Sequence, residues 1–514
     1  MRQSRHILIA GMVVLLLAAL IPFVYGLLNQ RPAEPFVVSP YLQMGNRPLL
    51  SSQEELTVSW ITPANDADWL VDVRSLADSK WRRAKAPVIT RINLPFLPPL
   101  RLYSAALQDL VAGQTFTYRI IREGRTVFVA RGTAKKSVTQ PYRFVVFGDL
   151  AAGTSSQRRI AYQTYRARPD FVCLTGDIVY RLGRFSEYLT KYFPVYNADE
   201  PSAASGAPLI RSTLFVAAPG NHDIGSTNWG TGRNLNLFPD AMAYFYLWNQ
   251  PLNGPRSTVG MPNTAQLTSS PERRSQFLAA AGLRYPRMTN FSFYYGNSHW
   301  TVLDGNDYVD WTDPSLRQWL QKDLQSAGDA IWRFVAFHQS PFSSGASHFS
   351  EQRMRLLADI FEKGRVDVVF TGHQHNYQRT FPLCFRVLAQ PDGRLISGRG
   401  QVEGTISLDR NFDGLTRRQP HGVIYVITGA GGAALASTAI QYDRALWQPY
   451  TQRLISDRHS LTVCDVDGDL LTVRQISDDG IQLDRFAISK SVKALTPVPQ
   501  PIPNAVKTPA AKQP

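Results

Sequence analysis

The chain has 514 residues, a formal charge of +15, 44% hydrophobic and 18% charged residues, a balance that excludes wholesale disorder and is long enough for more than one core. The basic excess favours an anionic partner, but no long Lys/Arg block, RRM signature or zinc-finger spacing is present, which argues against nucleic acid and leaves a phospholipid surface or phosphorylated substrates. Three cysteines, Cys173, Cys384 and Cys464, are too few and too dispersed for a disulfide scaffold or thiolate cluster, so any metal must use His, Asp, Asn or Tyr; a Cys384–Cys464 bridge stays open.

Residues 7–28 carry no charge and follow Arg2 and Arg5. Within residues 1–30 this reads as an export signal, either a cleaved signal peptide or an anchor long enough to span a bilayer, with the rest of the chain on the periplasmic, extracellular or luminal side. Residues 36–135 then alternate in short runs (EELTVSWIT, WLVDVRSL, LYSAAL, TFTYRIIREG, RTVFVARG) separated by turn residues, and they contain no histidine. That pattern predicts a small β-sandwich for packing or recognition, without catalytic residues.

From residue 140 to 486 the pattern becomes apolar strands (YRFVVF, FVCL, TLFVAA, WRFVAF, DVVF, GVIYVI) separated by helical stretches (SSQRRIAYQTYRAR, SLRQWLQKDLQ, SEQRMRLLADIFEK). This predicts an α/β region, an α+β sandwich with buried strands. Residues 225–288 read as a long Gly-, Pro- and Asn-rich insertion broken by one helix in PDAMAYFYLW. From Ser491 the chain ends in a disordered tail with six prolines, four of them alternating from Pro497 to Pro503.

Ligands of open α/β sheets bind beyond the carboxyl ends of the strands. There YRFVVF leads into Asp149, FVCLT into Asp177 and Tyr180, and TLFVAAP into Asn221, His222 and Asp223. WRFVAF leads into His338, and DVVFT into His373 and His375. Any one of these reads equally well as a turn or a core histidine. Five together at the same end of successive strands point to one shared site. Asp149, Asp177, Tyr180, Asn221, His338, His373 and His375 make seven donors, too many for one transition metal and suited to two ions sharing a bridging carboxylate. A two-metal hydrolase is the expectation.

Through GD (148–149), GDIVY (176–180), GNHD (220–223), the His338 segment and GHQHNYQR (372–379), the sequence resembles the calcineurin-like metallophosphoesterases, and through Tyr180 the purple acid phosphatases among them. The N-terminal strands resemble the fibronectin-III-like domain that accompanies many members. The resemblance implies Asp149, Tyr180 and His375 on Fe(III), Asp177 bridging, and Asn221, His338 and His373 on a second ion, Fe(II), Zn or Mn. It implies an exported phosphomonoesterase in which a hydroxide held by the two metals attacks a phosphorylated small molecule. His222 is then the candidate donor to the phosphate or leaving group, Asp223 the group that orients it, and His348 a substrate-phosphate contact. Two positions depart from the family pattern: Ala151 replaces the glycine that usually follows the first Asp, and Ser347 stands where many plant members have a second histidine. A phosphodiesterase or nucleotidase with the same site, and a non-catalytic tethered binding protein on the same fold, are the alternatives.

The remaining motifs read as structure. His299 is expected in a core strand, while His421 and His459 are left without a role. DRNFDG (409–414) begins like a calcium loop but has Pro420 where the closing Glu belongs, and VDVDGDL reads as a hairpin.

Overall fold

The structure, a computed structural model, describes residues 35–46, 54–76, 78, 80–225, 233–345, 347–397 and 400–491. The expected leader and all but Ser491 of the expected tail lie outside them. No helix among the described residues is long and apolar enough to cross a membrane.

Residues 38–133 form two four-stranded antiparallel sheets. One is ordered Val38–Gln43, Glu54–Pro63, Leu100–Leu110, Val88–Ile92, and the other Arg82–Arg83, Trp69–Ser75, Thr115–Arg122, Arg125–Thr133. Alternation turns Leu56, Val58 and Trp60 of one sheet and Val71, Val73 and Tyr118 of the other into one core, each aliphatic side chain contributing about 1.5–3 kcal/mol. Trp60 stacks on Tyr103 at 5.2 Å between ring centroids. The region docks on the following chain through Tyr41 Oη and Gln43 Nε2, which donate to Leu247 O at 3.0 and 2.7 Å, and through Tyr118 Oη, which donates to Arg211 O at 2.8 Å.

The α/β region is built on two mixed sheets packed face to face. The six-stranded sheet runs Leu214–Ala217, Phe171–Leu174, Tyr142–Phe147, Ser460–Asp467, Leu470–Ser477, Gln482–Ser489, with its first three strands parallel. The seven-stranded sheet runs Phe291–Tyr295, Ser298–Val302, Trp332–Ala336, Val368–Thr371, Ile424–Thr428, Tyr377–Thr380, Thr451–Ile455, with the second to fifth parallel. Phe144 and Phe171 from one sheet meet Trp300 from the other at 5.0 and 5.4 Å. The opposite faces are covered too. Helix Ser155–Ala167 and the insertion pack on Val145, Phe147 and Val172, while helix Pro314–Ser326 and the turn and helix at 353–363 pack on Val335, Val369 and Tyr425. Burial on both faces explains why these strands read as continuous apolar runs.

The insertion differs from expectation. PDAMAYFYLW is helical only over Tyr244–Leu247, and the longer helix is Pro271–Ala281. Its signals are in the sequence: Ser270 caps Arg273 N, Pro271 occupies the first turn, and Gly282 follows the end. The helix expected in SEQRMRLLADIFEK is a 3₁₀ turn, Arg353–Leu357, continued by Ala358–Lys363, and its first residues stay irregular. Cys384 and Cys464 are free thiols. Asp409 and Asp413 accept nearby backbone N–H groups as turn residues, and VDVDGDL is the predicted hairpin.

Candidate metal centre

The parallel strands of both sheets end at one edge, so the five loops that follow them converge. Three of the expected ligands sit in the left-handed region, Asp149 at φ 59°, Asp177 at 51° and His373 at 68°. Each such residue without glycine's freedom costs on the order of 1–3 kcal/mol, a strain that packing must hold in place. Glycines supply the room. A Cβ at Gly372 or at Gly429 would come within 2.6 Å of Asp149 Oδ2, and one at Gly220 would overlap Asp177. Backbone N–H groups fix the carboxylates: His373 N donates to Asp149 Oδ2 at 2.9 Å, and His222 N to Asp177 Oδ1 at 2.8 Å.

The Tyr180 hydroxyl lies 3.0 Å from Asp149 Oδ1, 3.1 Å from Asp177 Oδ2 and 3.1 Å from His375 Nε2. One phenolic proton therefore faces three acceptors. His338 Nε2 is 3.2 Å from Asp177 Oδ2 and 3.2 Å from His373 Nδ1, and these three residues form a cluster able to hold an ion.

The far sides of the rings explain which atoms point inward. His338 Nδ1 is 2.8 Å from Thr175 O, His375 Nδ1 2.6 Å from Ala434 O and His222 Nδ1 2.6 Å from Arg181 O. A carbonyl only accepts, so each Nδ1 carries the hydrogen and each Nε2 lone pair faces the centre. His373 is reversed, because its Nε2 meets Glu351 Oε2 at 3.0 Å and Nδ1 faces inward. Lone pairs, carboxylates and a phenol thus converge with too few protons to share. Among the described residues Asn221 Oδ1 is also buried without a hydrogen-bond partner. Both features fit cations held among these donors.

The electrostatics agree. Burial opposes charge on His338, but Asp177 and Asp149 outweigh it and push its pKa up to about 10. Burial likewise opposes charge on His375, yet Asp149 raises it to about 8. Burial, followed by Asp149 and Asp177, drives the Tyr180 phenol well above its ordinary value. The carboxylates that favour a proton on His338 and His375 create a negative potential that would equally draw a metal cation to those ring nitrogens.

The centre opens into a cavity of about 730 Å³ lined by Tyr180, Asn221, His222, His348, Glu351 and His373, among others. Among the described residues of 38–133, none lines the cavity. His222 Nε2 points inward, 3.8 Å from Asp177 Oδ2. Asp223 differs from expectation: its oxygens accept from Ile178 N and Gly220 N, both at 2.9 Å. It clips two ligand-bearing loops together, and the Arg181 carbonyl orients His222 instead. His348 stacks on His373 at 3.9 Å and meets Glu351 Oε1 at 2.8 Å. His299 is in the core, 3.0 Å from Asp323.

Sequence reasoning missed Glu351 and the Gly429–Gly432 loop. Glu351 stands three residues after His348, a spacing that brings the two together on one turn. The glycine loop offers no side-chain donor, and its signal was a run of small residues at a further strand end.

A family model described as calcineurin-like phosphoesterase matches residues 142–377. The chain is 23% identical over 446 residues to an uncharacterized protein of Mycobacterium tuberculosis, covering 82% of this chain and 74% of that one. It is 22% identical over 504 residues to the probable inactive purple acid phosphatase 27 of Arabidopsis thaliana, covering 89% and 70%. Its fold is similar to that of the purple acid phosphatase PPD1 from yellow lupin (Lupinus luteus) seeds, with a TM-score of 0.60, 17% identity, and 89% and 75% of the two chains covered. Residues 142–377 thus resemble calcineurin-like phosphoesterases, in a fold similar to that of a purple acid phosphatase, and a β-sheet region precedes them. With its candidate Asp/His cluster, this supports metal-dependent hydrolase activity.

Proposed function

We propose that the protein is an exported phosphomonoesterase of purple acid phosphatase type. The observation that carries this reading is the Tyr180 hydroxyl, 3.0–3.1 Å from Asp149, Asp177 and His375. In the proposal Asp149, Tyr180 and His375 would hold Fe(III), Asn221, His338 and His373 would hold a second ion, Fe(II), Zn or Mn, and Asp177 would serve both. When bound, the two ions would acidify a water and neutralise phosphoryl oxygens.

The chain's own groups do the rest. His222, with Nδ1–H fixed on Arg181 O, presents Nε2 to the cavity, where in its protonated form it donates to a phosphate oxygen or to the departing alkoxide. Glu351 holds His373 with Nδ1 inward and holds His348 at the cavity wall, where His348 meets the substrate phosphate. The domain division of the proposal is an export segment at 1–30, a fibronectin-III-like module at 36–135, the metallophosphoesterase domain at 140–486 and a tail from 491.

Purified protein assayed for metal, visible absorption and hydrolysis of phosphomonoesters and diesters tests this directly. The expected result is turnover favouring monoesters and an absorption band that Tyr180→Phe bleaches or shifts. Preference for diesters would select the alternative activity, and a metal-loaded chain inert toward both would contradict the enzymatic reading.

A further inference from the structure

A cavity of about 730 Å³ is the size that accommodates a drug-sized ligand. It is far more than a lone phosphoryl group fills, so the rest of the substrate must be read by the walls. The charges on those walls divide sharply once their partners are counted. Glu351 is committed to His348 and His373, and Asp307 has a partner of its own. Lys191 is spent as well, since its ammonium donates to Tyr180 O and lies 3.3 Å from Glu187 Oε1. Two cations remain. Arg181 is exposed and Arg353 half-buried; both line the cavity, and among the described residues neither guanidinium has a hydrogen bond or ion pair.

Their placement is fixed by the machinery they adjoin. Arg181 follows Tyr180, and its carbonyl holds His222. Arg353 opens the 3₁₀ turn two residues beyond Glu351. Both residues line the same cavity, and each offers a planar fork suited to two phosphate oxygens.

We propose that Arg181 and Arg353 form a second anion subsite, and that the preferred substrates are phosphate esters carrying a further phosphate on the leaving group. This rests on the phosphoesterase reading and specifies its substrate class. The hydrolysed phosphoryl group sits at the Asp/His cluster, and the second phosphate is held by the guanidiniums without reacting. An ester with an uncharged leaving group leaves both cations unpaired.

The test compares fructose 1,6-bisphosphate with fructose 1-phosphate, which differ by one remote phosphate, on the full-length metal-loaded protein. We expect kcat/KM to favour the bisphosphate on the order of 10- to 100-fold, the value of one or two charge-assisted hydrogen bonds. In Arg181→Gln and Arg353→Gln that ratio should collapse toward one, whatever the absolute rates, mainly through KM. A wild-type ratio near one, or a ratio unchanged in both variants, overturns the subsite. If neither ester is hydrolysed, the phosphoesterase reading is decided separately by the phosphomonoester and diester assays of the metal-loaded chain. The subsite is then decided by calorimetric binding of the same two esters: tighter binding of the bisphosphate that both substitutions abolish supports it, and equal affinities overturn it.

Discussion

Asp223 is fully buried, and each of its oxygens accepts one backbone N–H. Burial, and then the neighbouring Asp177, pushes its pKa up to about 8. Its partners are the loops that carry Asp177 and Asn221, so Asp223→Ala would strand two buried donors at about 1–3 kcal/mol each. Thermal denaturation should show a clear loss of stability together with weakened metal retention, and Asp223→Asn, which keeps one acceptor, should lose less. His222 predicts the opposite pattern. It is partly exposed at the cavity, and His222→Ala should lower turnover about 10²–10⁴-fold with metal content and melting temperature retained. Parallel loss of metal would show that His222 is a ligand. At this scale the sequence was legible where residue type and position sufficed: the seven proposed ligands all lie at strand ends. Partners set by the fold were not legible. Nothing in the order of residues says that Asp223 faces backbone, or that Arg181 contributes its carbonyl and not its charge to His222.

At the scale of elements, the centre depends on sharp loops that place side chains inward from positive-φ positions. TGHQHNYQR shows the arrangement. The strand Val368–Thr371 ends, residues 372–376 turn, and the antiparallel strand Tyr377–Thr380 begins. That turn lets His373 and His375 approach the cluster from different sides, which a continuous strand would forbid. The glycines are part of the same device. Gly429→Ala would put a methyl group against Asp149 Oδ2 and the Gln374 carbonyl. We expect that variant to retain its circular dichroism spectrum and to lose at least one metal per chain; full metal occupancy would contradict the packing argument. Strands buried on both faces were plain in the sequence because their residues are almost all apolar, Arg143 and Arg333 near the strand starts being exceptions. The helix Pro271–Ala281 was overlooked because low amphipathicity let the surrounding Gly and Pro dominate the reading, although its cap was present.

Across the whole molecule, the end of the same motif ties the two central sheets together. Tyr377 Oη and Arg379 Nε both donate to Asp484 Oδ2 at 2.8 Å, from the seven-stranded sheet to the last strand of the six-stranded one. Burial works against charge on Asp484, but Arg379 outweighs it and the carboxyl lies below its ordinary value. A depressed carboxylate stabilises the fold above its unfolded pKa of about 3.9 and loses that contribution as pH falls through the folded value. Stability should therefore decline more steeply in acid for the native chain than for Asp484→Asn, as denaturant midpoints measured from pH 6 downward would show; identical slopes would remove Asp484 from the account. The β-sheet region before residue 135 holds Leu247 and Arg211 from outside the cavity, a contact between distant segments that no local pattern announces.

The central claim is that Asp149, Asp177, Tyr180, Asn221, His338, His373 and His375 hold two metal ions with a phenolate on one of them. Elemental analysis of the purified protein, read together with its visible spectrum before and after Tyr180→Phe, tests it most directly. The account predicts two transition-metal ions per chain, one of them iron, and a charge-transfer band that the substitution abolishes or moves. A well-folded chain that binds no transition metal, or an iron-loaded chain whose spectrum is indifferent to Tyr180, would contradict it.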